Sequence, residues 1–532
     1  MTGTSPTFAP HPGLRVACML AGLVLLVGCA TTSHVPALPP QPGLADVHRL
    51  IRAHAAQDAR FQVVTDHPWL QLDLAHRYRL ADYPRTADLT ARRVFVAQFL
   101  RETGEVADRS VALALAKIPR EALAAFAAAQ QVPLRNEDAL TAVRDAVLAD
   151  QRMRREIELA DLARFMTPAE IDRYWQDVTG HVEASIMSRG RLARRLLTAP
   201  AVPFISAWIT YHNRTDFRGP TVPAFAHATE FTLAEGTPPP EIPPADWALL
   251  ARHAPVIVQE RAEHPAYPAT LDRFGTVALR EHADDVEPTV DADAPALYAF
   301  VDRKRVQGRE VRQLVYTLWY PAHPHLSRFD PEAGPLDGWT VRLTLDARDQ
   351  PALVESVSNC GCYYKIFPSA ALEAAAAAAF PRRLDGKGFH LEQDVPDRVD
   401  AVVPETVATA GGAAHQIVLY FSAGHHQLVS VRTPHTRAGT ADAAASYALH
   451  PYEILERLPA RGHDMGLFGD DGLVRAAHRP ECDLLTPSGL YHAGHPRQRE
   501  TQMIYFDEAD FDEPTLLERY LRLPPDAFGA SS

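Results

Sequence analysis

The residues of this chain best suited to chemistry are cysteines and histidines, and three short segments bring them close together in the sequence. In the first segment Cys360 and Cys362 flank Gly361, directly after a predicted strand. The glycine allows the chain to turn, so both sulfurs can face one point. The second segment carries His478, Cys482, His492 and His495. A third segment pairs His425 with His426 at a predicted hairpin.

Zinc and copper prefer thiolate and imidazole ligands. Cys360, Cys362 and Cys482 with one histidine would give an ion three sulfur ligands and one nitrogen ligand. The candidate histidines are His478, His492 and His495. The sequence therefore offers a Cys/His cluster, with Zn or Cu as its candidate cofactor.

The N-terminal residues predict a compartment. Arg15 precedes an apolar run from Val16 to Val27, which is shorter than the roughly 20 residues that cross a bilayer and has the length of a secretory signal. The run ends in Leu26-Val27-Gly28-Cys29, which resembles the lipobox of bacterial lipoproteins. The resemblance implies cleavage before Cys29 and lipidation of its thiol. Ala30, in place of an aspartate, favours the outer membrane.

This expected location bears on how the remaining cysteines are paired. The cell envelope is oxidising, so thiols there tend to pair. After lipidation of Cys29, three cysteines remain outside the signal peptide, and three cannot all pair within one chain. One alternative to a metal site is a disulfide from Cys360 or Cys362 to Cys482, which leaves one thiol buried. Another is a cysteine nucleophile activated by a nearby histidine and by Lys365.

Composition excludes some classes of protein. The hydrophobic fraction of 46% and charged fraction of 22% are those of a globular protein, and 532 residues suffice for two or three domains. The net charge is −13, and the longest basic cluster is Arg303-Lys304-Arg305, so nucleic acid is not an expected partner. The chain has no serine nucleophile elbow, phosphate loop or His-Glu-x-x-His motif. Whether the protein is an enzyme stays open.

The hydrophobic pattern predicts a helical N-terminal half. Apolar residues recur at helical spacing, and Thr167-Pro168-Ala169-Glu170 has the form of a helix-starting capping box. The segment from Gly236 to Asp246 contains so many prolines that it predicts a linker. The predicted divisions are a signal peptide (1–28), a Pro-rich tether (29–43), a helical domain (44–235), the linker (236–246) and a β-rich domain with the Cys/His segments (247–532).

Beyond the linker the pattern alternates with a period of two, which predicts strands. A hairpin is predicted around Gly308 and another around Gly424, with a helix from Ser369 to Phe380 covering the sheet. We therefore predict an α+β fold, with an N-terminal helical domain followed by a mainly antiparallel β domain. A loop-rich C-terminal segment should complete it.

Together these patterns predict a lipid-anchored bacterial envelope protein of structural or interaction type, on the periplasmic face of the outer membrane. The lipid anchor makes the membrane its expected partner. The alternative is an envelope metalloenzyme or metal-binding protein that uses the Cys/His cluster.

Overall fold

The computed structural model describes residues 47–529, apart from a set of internal segments. The segments outside the description are 55–61, 65–66, 73–75, 77–82, 86, 134–137, 165–166, 177–224, 241, 263–266, 283–285, 327, 329, 395–402, 409–415, 438–440, 470–471, 482–493, 499–510 and 512–515. The lipobox, the tether and Cys29 also lie outside the described residues, so those predictions remain predictions.

Helices dominate the described part of the N-terminal half. They are Val47–Ala53 (α1), Leu89–Ala116 (α2), Arg120–Ala129 (α3), Ala139–Arg164 (α4) and residues 168–176. The predicted capping box is present, because the Thr167 amide donates to Glu170 Oε2 at 2.7 Å and the Glu170 amide donates to Thr167 Oγ1 at 3.4 Å. A short antiparallel pair, Gln62–Val64 (β1) and His67–Leu72 (β2), lies in the region predicted to be helical throughout.

A ten-stranded sheet forms most of the C-terminal half. Its strands are Ala228–Leu233 (β3), Val256–Glu260 (β4), Ala296–Val306 (β7), Arg309–His323 (β8), Gly334–Leu345 (β9), Pro351–Ser358 (β10), Lys365–Pro368 (β11), Val418–Phe421 (β12), Leu428–Arg432 (β13) and Ala443–Pro451 (β14). Smaller pairs are Thr276–Glu281 (β5) with Val286–Asp291 (β6), and Leu458–Ala460 (β15) with His463–Met465 (β16). Three further helices are Pro244–His253 (α5), Ala370–Ala379 (α6) and Leu516–Tyr520 (α7).

The sheet is mixed. Its order is β11-β10-β9-β8-β7-β14-β3-β4-β12-β13. The run from β11 to β7 is antiparallel, as are β3 with β4 and β12 with β13. In contrast, β14 is parallel to both β7 and β3, and β4 is parallel to β12. The N-terminal helices and the large sheet agree with the predicted α+β class, and the parallel pairings are an addition to it.

The two edges of this sheet approach each other. Lys365 on edge strand β11 donates from Nζ to the Leu428 carbonyl on the opposite edge strand β13, at 2.8 Å. The segment 403–408 also reaches both edges: the Val407 amide donates to the Pro368 carbonyl at 2.8 Å, and the Val431 amide donates to Glu405 Oε1 at 3.1 Å. The sheet therefore curves until its edges are joined by side chains and one short segment.

Strand β9 shows a difference from the sequence pattern. Its apolar residues alternate with Thr340, Arg342 and Thr344, which is the pattern of a half-buried strand, yet both faces are buried. Arg342, on the polar face, pairs with Glu355 at 2.6 Å and donates to the Phe511 carbonyl at 2.7 Å. The C-terminal segment covers this face, so the polar alternation reflects an internal ion pair that solvent does not reach.

The directions of the strands place several loops at one end of the sheet. Strands β8 and β10 run in the same direction because each is antiparallel to β9. Strands β4 and β12 share that direction through their chain of pairings to β7. The ends of β4, β8, β10 and β12 and the start of β9 therefore lie together, and this end carries the candidate site.

Candidate functional site

A buried carboxylate, Asp337, organises this end of the sheet. It lies near the start of β9 and accepts from two histidines through one oxygen. His323 Nδ1, at the last residue of β8, lies 3.1 Å from Asp337 Oδ2, and His426 Nδ1 lies 3.0 Å from the same atom. Arg479 donates to the other oxygen at 3.2 Å. Burial alone would raise the pKa of Asp337, but Arg479 and the two histidine hydrogen bonds hold it well below its usual range.

His426 is held on both sides of its ring. Its Nε2 lies 3.3 Å from Asp272 Oδ1, and the ring stacks on Tyr320 with centroids 3.9 Å apart. Burial lowers the pKa of His426, but its hydrogen bonds to Asp272 and Asp337 raise it above the usual value. Both ring nitrogens face carboxylates, which favours the protonated form of His426.

The turn between β12 and β13 brings His425 and His426 to this point. Gly424 has a φ of +70°, and its amide donates to Asp272 Oδ1 at 2.7 Å. A Cβ at this position would lie 2.7 Å from Leu326 Cδ2. The positive φ therefore favours glycine here, and a Cβ would also require the Leu326 side chain to shift.

His323 has a different environment from His426. Its side chain is buried, with 4% of the residue exposed. Nδ1 contacts Asp337, while Nε2 finds no hydrogen-bond partner among the described residues. A buried ring nitrogen without a partner is uncommon in folded proteins and needs a physical explanation.

Two further ligand side chains lie near this ring. One atom each from His323, Glu332 and His425 lies within 4.8 Å of the other two. His425 is exposed, whereas Glu332 is half-buried and His323 is buried. Neighbouring groups nevertheless remove part of the water around the His425 ring, which lowers its pKa, with a smaller contribution from His323. Among the described residues, this is the one group of three or more side chains with the spacing of a metal site.

The loop before β9 positions Glu332. Asp330 accepts from the Leu326 amide at 2.9 Å and from the Glu332 amide at 3.1 Å, which fixes the loop. Tyr363 then donates its hydroxyl to Glu332 Oε1 at 2.5 Å. Glu332 is therefore oriented from both its backbone and its side chain.

The Cys-Gly-Cys turn lies beside this group. The Gly361 amide donates to the Ser358 carbonyl at 2.8 Å, and the Ser358 amide donates to the Cys362 carbonyl at 3.1 Å. A hydrogen bond with Cys362 lowers the pKa of Cys360 to about 7, against the effect of burial. The same bond and burial raise the pKa of Cys362 well above its usual value.

The predicted Cys/His cluster is only partly described. Cys360 and Cys362 form no disulfide with each other or with another described residue. The rings of His478 and His495 lie 6.2 Å apart, and His495 Nε2 donates to the Val474 carbonyl at 2.9 Å. Cys482 and His492 lie outside the described residues, so the pairing of Cys482 stays a prediction.

Lys365 was predicted to assist a cysteine nucleophile. In the structure it is fully buried in β11 and donates to the Leu428 carbonyl on β13. Burial lowers its pKa well below the usual value. Because this hydrogen bond reaches the opposite edge of the sheet, Lys365 serves to join the two edges.

Sequence reasoning singled out the His425-His426 pair but missed His323, Glu332 and Asp337. The only local signals are the position of His323 at the end of strand β8 and that of Asp337 near the start of strand β9. Neither signal distinguishes a ligand from an ordinary turn residue.

Comparison with known proteins adds no assignment. No protein-family model, curated protein or solved structure matches the chain. In the part of the chain that the structure describes, no helix combines the length and apolar character needed to cross a membrane. The functional interpretation therefore depends on the geometry of the site.

Proposed function

We propose that this chain binds a divalent transition-metal ion through His323, Glu332 and His425. The single observation that carries the proposal is the His323 ring: Asp337 holds Nδ1, the buried Nε2 has no described partner, and two other ligand side chains lie within reach. A histidine whose second nitrogen is held by a carboxylate is the usual arrangement at protein metal sites.

The donor set supports a transition metal. Two imidazole nitrogens and one carboxylate are the ligands of catalytic zinc sites and of non-haem Fe(II) sites. Magnesium and calcium favour oxygen ligands, so the two histidines argue against them. Three protein ligands also leave coordination positions for water or a substrate, as catalytic sites do and closed structural sites do not.

The residues behind the ligands support the same assignment. Asp337 accepts from Nδ1–H of His323, which leaves the lone pair on Nε2. Arg479 balances the charge of this buried carboxylate, and His426 contacts the same oxygen as His323. Tyr363 orients Glu332 through the hydroxyl hydrogen bond. His323 and Glu332 are thus held in position by the protein before any ion binds.

The proposed location of the protein is the bacterial cell envelope. The lipobox ending at Cys29 supports a lipid anchor, with the membrane as partner and the periplasmic face of the outer membrane as the location. The metal site adds a chemical role to that anchored protein: a metal-binding protein, with open positions that suit a metalloenzyme. If no ion binds, the alternative is a purely structural or interaction role.

Equilibrium dialysis of the purified, metal-free chain against Zn²⁺ tests this proposal. Wild type should retain about one ion per chain, and His323→Ala should lose it, because one of only three ligands is removed. His435→Ala removes an exposed histidine in the same half of the chain and serves as the matched control. Equal zinc content in wild type and His323→Ala would contradict the assignment.

A further inference from the structure

The Cys360–Gly361–Cys362 turn lies beside the proposed site and supplies none of its three ligands. Two backbone hydrogen bonds hold the turn, at 2.8 Å from the Gly361 amide and 3.1 Å from the Ser358 amide. Gly361 has a φ of +88°, which a side chain would disfavour. The turn is therefore a fixed feature of the backbone that places two thiols two positions apart in the chain.

The two cysteines are close in the chain and differ in exposure. Only Gly361 separates them in the chain, and two backbone hydrogen bonds fix the turn that carries both. Cys360 is buried, and its Sγ lies 2.7 Å from Ser358 Oγ, whereas Cys362 is half-exposed. An ion can thus reach the pair from the Cys362 side and be held away from solvent on the Cys360 side.

The number of ligands selects the ion. No described cysteine belongs to a group of three or more ligand atoms, so the described residues offer an ion at this turn two sulfurs. Structural zinc requires four ligands. Cuprous copper is a soft ion that prefers thiolates, and two of them suffice to bind it.

The local charge also suits a cuprous ion. Two thiolates and one Cu⁺ carry a net charge of −1. The Arg479 guanidinium is buried at 1% exposure and acts electrostatically on Cys360. Arg479 also pairs with Asp337, so it offsets only part of the negative charge of that complex.

We propose that Cys360 and Cys362 form a two-coordinate binding site for one cuprous ion, separate from the His323 site. On binding, two S–Cu bonds form, and each sulfur that is still protonated loses its S–H bond and releases that proton to solvent. No electron is transferred. The proposal does not depend on the His323 site, because the two share no ligand.

Anaerobic titration of the full chain with Cu⁺ tests the site, in competition with a chromophoric cuprous chelator and with the thiols kept reduced. Wild type should withdraw about one ion from the chelator and, at about pH 7, release between about one and two protons, because Cys360 is already partly ionised there. The substitutions Cys360→Ser and Cys362→Ser should each lower the Cu⁺ affinity by more than about 100-fold. Loss of a residue that only supports a metal ligand lowers the affinity by at most about 100-fold. Because Cys362 is half-exposed, its variant is the one expected to fold like wild type.

Two controls make the result specific. Cys482→Ser and His323→Ala should both bind Cu⁺ as tightly as wild type. The proposal is overturned if wild type withdraws no ion, if Cys362→Ser competes as well as wild type, or if Cys482→Ser loses the ion. A loss in His323→Ala alone would show that the copper ion occupies the other site, which also overturns it.

Discussion

Asp337→Asn isolates the role of the buried carboxylate at the proposed metal site. Asp337 Oδ2 accepts from both His323 and His426, and Oδ1 accepts from Arg479. An amide of the same shape has one oxygen and one NH₂ group, so it must present a donor either to the histidines or to the guanidinium. In either orientation the NH₂ group of the asparagine faces another hydrogen-bond donor, either the histidine N–H groups or the Arg479 guanidinium. The variant thus keeps the volume of the side chain and removes its function as a common acceptor.

The size of the effect follows from that geometry. Replacing a supporting carboxylate behind a metal-bound histidine costs about 10–100-fold in affinity, or about 1.4–2.8 kcal/mol. The variant also leaves the buried Arg479 without its carboxylate, and breaking a buried pair costs about 3–5 kcal/mol of folding stability. We therefore expect weaker Zn²⁺ binding and a lower free energy of unfolding together.

Competition with a chromophoric zinc chelator measures the affinity, and urea unfolding measures the stability. Asp385→Asn changes an exposed aspartate and should alter neither. If folded Asp337→Asn binds Zn²⁺ as tightly as wild type, the reasoning about His323 is refuted. Loss of stability with unchanged zinc affinity would refute it equally.

Three other changes test separate parts of the structure. Because the pKa of His426 is raised in the folded state, its protonation stabilises the fold below the unfolded pKa of about 6.5, and this contribution is lost as pH rises through the folded pKa. The free energy of unfolding of wild type should therefore exceed that of His426→Gln by less at about pH 9 than at about pH 6. An equal difference at the two pH values would contradict this. Gly424→Ala should cost at least about 1–2 kcal/mol in urea unfolding, because φ is +70° and the Cβ would meet Leu326, whereas Ala423→Gly is the milder control. Cys29→Ala should abolish incorporation of radioactive fatty acid, and equal labelling would reject the lipobox.

Local patterns predicted the elements that depend on neighbouring residues. The hairpin around Gly308 follows from period-two alternation on both sides of a turn, and strands β7 and β8 pair there in the expected antiparallel register. The capping box at Thr167 is equally local and is also present. In both cases the interacting residues lie a few positions apart, so the sequence itself carries the information.

Long-range pairings could not be predicted in this way. Strand β14 lies parallel to β3 and β7, although it follows them by a long stretch of chain. The proposed ligands show the same limit: His323 and Glu332 come from one hairpin region, and His425 comes from a turn on the far side of the helix α6 insertion. Hydrophobic periodicity reports which face of an element is buried and carries no information on which distant turn lies beside it.

X-ray absorption at the zinc edge of the zinc-loaded chain tests the central claim most directly. Binding by His323, Glu332 and His425 predicts only nitrogen and oxygen neighbours, at about 2.0–2.2 Å from the zinc. The spectrum should lose this signal in His323→Ala and keep it in Cys362→Ser. A shell of sulfur atoms at about 2.3 Å would show that zinc binds at the cysteines, and would contradict the account.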